Sequence, residues 1–148
     1  MSHVRQRIRE RIATDVTGLT TTGARVYQSR VYNLESSNLP GLLVYSNSET
    51  SDRATMQTTD SLTRTLDVIV EGYQRTATDL DDTLDTISAE VETAIAGDAP
   101  TLNGLSKDVF LSSTELTLTG EGDSPAGMVR MTWTVTYQTK TTAPTVAL

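Results

Sequence analysis

The chain has 148 residues, 36% of them hydrophobic and 21% charged, enough apolar material for one domain with one modest core. Its 12 basic and 19 acidic residues leave a net charge of −7, which argues against a general nucleic-acid binder. The absence of cysteine excludes disulfides, thiolate metal sites and a cysteine nucleophile, and a single histidine, His3, leaves nothing for Ser-His-Asp chemistry or a histidine-rich metal centre.

No stretch approaches the roughly 18 apolar residues of a membrane span, and nothing at the N-terminus reads as a signal peptide. Composition therefore points to a soluble structural or interaction domain rather than an enzyme, with no cofactor and no metal expected.

In chain order, residues 2–16 place Val4, Ile8, Ile12 and Val16 four apart, the stripe of a short amphipathic helix flanked by Arg5, Arg7, Arg9 and Arg11. Thr17-Gly18 supplies its stop, and His3 falls at a terminus expected to be flexible. Residues 25–32 (RVYQSRVY) are rich in β-formers and read as a strand. Asn38-Leu39-Pro40-Gly41 is a turn signal, and Leu42 to Ser46 is a short apolar strand buried on both faces. Residues 47–60 (NSETSDRATMQTTD) offer almost no apolar side chains to offset ordering entropy, so they read as a long, mobile candidate binding loop.

Leu62 to Tyr73 alternates cleanly, with Leu62, Arg64, Leu66, Val68 and Val70 on one face and Thr63, Thr65, Asp67, Ile69 and Glu71 on the other. The strongest helix spans Asp79 to Ala96: Leu80, Leu84, Ile87, Val91, Ala94 and Ile95 share an arc, acids fill the rest, and Gly97 and Pro100 end it. Residues 109–119 alternate again, but their phase changes near Ser112-Ser113, which predicts a bulge. GEGDSPAG (residues 120–127) is a hairpin connection. Val129, Met131, Trp133, Val135 and Tyr137 then alternate with polar residues, so Trp133 and Tyr137 are expected in the core.

The expected fold is α+β, a mixed α/β subunit. One mostly antiparallel or mixed sheet of four to five strands carries two helices on one face, while the other face is open and rich in threonine, of which the chain has 27. Residues 1–138 form the domain and residues 139–148 (TKTTAPTVAL) a flexible C-terminal tail.

Chemistry-bearing patterns are sparse. The acidic run from Asp79 to Asp85 lacks the glycine that a calcium loop needs at its sixth position, where Leu84 stands, and it reads as a solvated helix face. GEGDSPAG has no strand–glycine–helix context and no following lysine, so it is not a phosphate loop. Glu71 and Asp67 are the carboxylates available for acid/base work, without a histidine or cysteine helper. Charge is more telling: residues 1–30 carry six basic and two acidic groups, residues 79–98 seven acidic and none basic. That separation suits head-to-tail contact between copies in a ring, or packing of the two helices within one subunit.

The order of elements resembles a known family. Leu39-Pro40-Gly41-Leu42-Leu43-Val44-Tyr45, the strand Thr65 to Glu71, the acidic helix and the strand Thr132-Trp133-Thr134-Val135-Thr136-Tyr137 follow the amphipathic first helix. Over residues 4–138 this is similar to the tail terminator proteins of long-tailed bacteriophages, the minor tail protein U family. The resemblance implies a hexameric ring that caps the tail tube, stops its polymerisation and joins the head. Its lumen passes genomic DNA without specific binding. The partners implied are copies of itself, the tail tube protein and a head-completion or connector protein, in a virion assembled in the host cytoplasm, with no membrane. Ser48, Glu49, Asp52, Arg53, Met56, Glu121 and Asp123 are the candidate tube or neck contacts, and Arg5, Arg9, Asp81, Asp85 and Glu92 the candidate subunit contacts. The alternatives are another head–tail neck ring or a tail-tube subunit, a small monomeric binding module and, behind these, an acid/base hydrolase.

Overall fold

A computed structural model describes residues 2–28, 39–54, 60–76, 78–119 and 125–148. The elements run α1 (Val4–Asp15), β1 (Val26–Tyr27), β2 (Gly41–Arg53), β3 (Ser61–Arg75), α2 (Leu80–Ala96), β4 (Asp108–Thr119), β5 (Ala126–Lys140) and β6 (Ala143–Ala147). They build one mixed sheet in the order β1-β2-β3-β5-β4, with β6 also on β5. Among the described residues the β1–β2 pairing is parallel and the others are antiparallel. This is the α+β fold expected, with six strands among the described residues where the sequence predicts four to five.

One face of the sheet carries both helices. Val4, Ile8 and Ile12 of α1 and Leu84, Ile87, Val91 and Ile95 of α2 share a single buried cluster with Leu42, Val44, Leu66, Val68, Val70, Val129, Met131, Trp133, Val135 and Tyr137. Strand β5 alternates burial from Ala126 to Thr139, so the hydrophobic row of the sequence is the spine of the core. Close helix–sheet contact is possible because Gly72 has no side chain: a Cβ there would lie 2.8 Å from Ile87 Cγ2 and 3.0 Å from Val129 Cγ1.

Two bulges decide which residues face the helices. The β2–β3 register shifts between Ser46 and Ser48, so Glu49, opposite Leu66, turns toward α1. In β4 the shift falls between Leu111 and Ser113, where the phase change predicts it. Beyond it Leu116 and Leu118 stand opposite Val129 and Gly127 on the helix side.

Several expectations need correction. Residues 47–53 are not loop but the outer half of β2: Asn47 sits at the bulge, and Ser48 to Arg53 pair residue by residue with β3. Backbone hydrogen bonds organise this polar segment where side-chain burial does not. The stretch 139–142 completes β5 and turns, and the supposed loose tail returns as β6, with Thr139 opposite Ala147 and Lys140 opposite Ala143. His3 is the N-cap of α1, its Nδ1 accepting from the Arg5 amide at 3.0 Å.

Asp79 caps α2 in a left-handed conformation (φ 55°) without a side-chain hydrogen bond, and Gly97 is right-handed (φ −67°). The threonine-rich face is also closed at one end, where Leu43, Ile69 and Glu71 are buried. Of the strand expected over 25–32, Val26–Tyr27 form β1, and residues 29–32 lie outside the described residues.

Candidate assembly surfaces

The carboxylates that could serve acid/base chemistry are engaged structurally. Glu71 is 6% exposed and accepts from Tyr45 Oη at 2.5 Å and Tyr73 Oη at 3.0 Å. Burial, with the Glu71 charge and hydrogen bond, pushes the Tyr73 phenol well above its ordinary range. Asp67 accepts from Ser48 Oγ at 3.2 Å across the β2–β3 pair. Among the described residues no group of three or more His, Cys, Asp or Glu side chains could hold a metal ion, and no helix is long and apolar enough to cross a membrane.

The basic helix divides along its length. Core residues Val4, Ile8 and Ile12 define one direction, and at about 100° per residue Arg5 and Arg9 fall on one flank and Arg7 and Arg11 on the other. Arg5 Nη1 reaches Glu49 Oε2 at 2.7 Å, and Arg9 Nε reaches Gln28 Oε1, just past β1, at 3.1 Å. On the opposite flank Arg7 Nη1 donates to the Thr145 carbonyl of β6. Arg11 binds Asp98, Nε to Oδ2 at 2.6 Å and Nη2 to Oδ1 at 3.2 Å.

Asp15 joins that last pair. Burial and a hydrogen bond to Asp98 push its carboxyl up to about 7, whereas the Arg11 guanidinium holds Asp98 below the usual carboxylate range.

Helix α2 divides in the same way. Glu90 faces α1 and accepts from the Thr21 amide and hydroxyl at 2.9 and 2.8 Å. Asp81, Asp85 and Glu92 project from the other flank, which faces the β4 side of the sheet. They are exposed and form no ion pair among the described residues. Beside them the strand β4 has no partner on its outer side among the described residues, and it leaves Leu116 52%, Leu118 49% and Phe110 49% exposed. Leu80, Leu118 and Pro125 line a cleft of about 430 Å³ whose rim is Asp79, Asp81 and Asp82. Gly127 beneath makes the closure possible, since a Cβ there would meet Leu118, Leu84 and Leu80 at 2.9, 2.9 and 3.1 Å.

The sequence-derived contact residues thus fall into distinct places. Ser48, Asp52 and Arg53 lie exposed on outer β2, not on a loop, and Arg53 approaches Asp60 at 3.6 Å. Glu49 is turned inward to Arg5, Arg64 and Tyr137. Met56, Glu121 and Asp123 lie outside the described residues, as does most of the 120–127 connection. Sequence reasoning missed the exposed Leu116, Leu118 and Phe110, because alternation reports which face a residue takes and not whether its strand is at an edge.

No family model and no curated protein matches the chain. A solved structure that does match is a chain from the virion of a native gene transfer agent (GTA) particle. It is 18% identical, with 90% of this chain and 92% of that chain covered and a TM-score of 0.46, a level of similarity that carries no assignment of function.

Proposed function

We propose that this chain is a structural virion subunit of the tail-terminator type, a ring that caps the tail tube, ends its growth and offers a face to the head-joining proteins. The observation that carries the reading is the edge strand β4, which among the described residues has no outer partner and leaves Leu116 and Leu118 exposed beside a helix flank whose acids have no counter-charge among those residues, with Phe110 exposed on the opposite face. Large apolar side chains on an open sheet edge are a liability in a protein that works alone and an asset in one that works assembled. The order of elements along the sequence supports the same reading. Glu71 and Asp67, the carboxylates named for acid/base work, take part in hydrogen bonds across the sheet. A net charge of −7 suits a conduit that must let DNA pass without holding it.

Outer β2, with Ser48, Asp52 and Arg53, is the proposed contact with the tube or neck. The test is electron microscopy of particles made without this protein. Headless tails of uncontrolled, excessive length are expected, and normal-length, head-bearing tails would overturn the proposal. Purified protein forming open tubes rather than closed rings would favour the tube-subunit alternative.

A further inference from the structure

The two ends of the sheet order differ in kind. At one end, β4 and the outer flank of α2 present exposed leucines with Asp81, Asp85 and Glu92. At the other end, beside the short strand β1, α1 presents Arg9, which donates to the neutral Gln28 amide oxygen at 3.1 Å. Arg25, immediately before β1, binds backbone carbonyls among the described residues, those of Pro40 at 2.6 Å and Thr21 at 3.2 Å. Among the described residues neither the acids of the first end nor the arginines of the second have an ion-pair partner inside the subunit.

We infer that the β4–α2 edge of one copy docks on the β1–α1 edge of the next copy, with Arg9 set against Asp81 and Asp85 and with Leu116 and Leu118 covered by the neighbouring copy. The occupant is a second copy of this chain because the chain itself carries the complement of its acidic edge, the arginines of the other edge. Two unlike edges joined head to tail give a directional, heterologous contact, which closes into a ring when the rotation between copies allows it. A two-fold contact between like edges would instead set Asp81 and Asp85 against the same acids of the partner, which like-charge repulsion opposes. This inference rests on the ring reading and names the surfaces through which the ring is made.

The experiment measures the mass of the purified full chain by light scattering and native mass spectrometry, at low and high salt. Three variants are compared with the wild type: Leu116→Ser/Leu118→Ser, Asp81→Lys/Asp85→Lys, and Arg9→Glu. Circular dichroism confirms that each is folded; all five positions lie at the surface or half-exposed. Each variant is expected to weaken assembly by about tenfold or more, and the wild-type ring is expected to loosen at high salt. Combining Asp81→Lys/Asp85→Lys with Arg9→Glu in one chain is expected to restore assembly, since every joint is then reversed as a pair.

A ring that survives all three variants would overturn the inference and leave the tail-terminator reading standing. So would a two-fold dimer insensitive to Arg9→Glu. A ring broken by the variants, alongside normal tails in particles lacking the protein, would do the reverse.

Discussion

Nη1 of Arg5 lies 2.7 Å from Oε2 of Glu49, so a residue at the start of the first helix and one on the second strand are tied together on the helix-covered face. Arg64 Nη1 reaches the same carboxylate oxygen at 3.2 Å, and Tyr137 donates its hydroxyl to the other one. The Glu49 side chain is 10% exposed and Arg5 41%. Glu49→Gln therefore removes the charge that two guanidiniums and a phenol share, and is expected to cost about 1–3 kcal/mol. Arg5→Ala is expected to cost under about 1 kcal/mol, as for an exposed pair. Urea midpoints at unchanged m-value check this; equal losses would show that Arg64 adds nothing at this carboxylate.

The Asp15–Asp98–Arg11 cluster should make stability depend on pH. Asp15 titrates at about 7 in the folded chain against an ordinary value of 3.8, so between those values the folded state holds a proton that the unfolded state has lost. The stability this group contributes is complete below about pH 4 and is lost as pH rises through 7. Asp98, held low by Arg11, contributes in the opposite sense, its share present above the ordinary carboxylate range and lost on acidification. Asp15→Asn is expected to remove the decline between about pH 4 and 7, so its stability should gain on wild type across that window. Thermal melts at one-unit pH steps would show parallel curves if the assignment is wrong.

Glycine substitutions should separate packing from backbone freedom. Gly72→Ala places a methyl 2.8 Å from Ile87 and 3.0 Å from Val129, both in the core, and is expected to cost about 1–3 kcal/mol. Gly97→Ala meets only backbone oxygens at 3.5 and 3.6 Å and keeps a right-handed φ of −67°, so it should be neutral or stabilise by about 0.4–1 kcal/mol. Chemical denaturation of the pair decides; similar values would mean that α2 shifts to accommodate the methyl.

Glu71 should report its partners spectroscopically. Burial raises the Tyr73 phenol most, and the Glu71 carboxylate raises it further. Glu71→Gln should therefore shift part of the tyrosinate absorbance titration to lower pH, a change that Tyr73→Phe in the same background removes. A titration identical to wild type would contradict the hydrogen bond at 3.0 Å.

What the amino-acid sequence determined by itself was whatever depends on local periodicity. The stripe Val4–Ile8–Ile12, the apolar arc of α2 and the alternation through Trp133 and Tyr137 place residues on faces, and the phase change at Ser112 marks a bulge. Burying those faces requires the layered α+β arrangement that is found. Tertiary structure decided the rest.

Residues 47–53 are strand because β3 lies alongside to accept their backbone hydrogen bonds, and residues 143–147 because β5 does the same; neither partner is visible in a local window. The fate of charges was equally non-local. Arg5 is bound to Glu49 and Arg11 to Asp98, whereas among the described residues Arg9 and Asp81 have no ion-pair partner, a distinction set by distances across the fold. Leu116 and Leu118 are exposed because their strand stands last in the sheet order, and position in a sheet is a property of the whole chain.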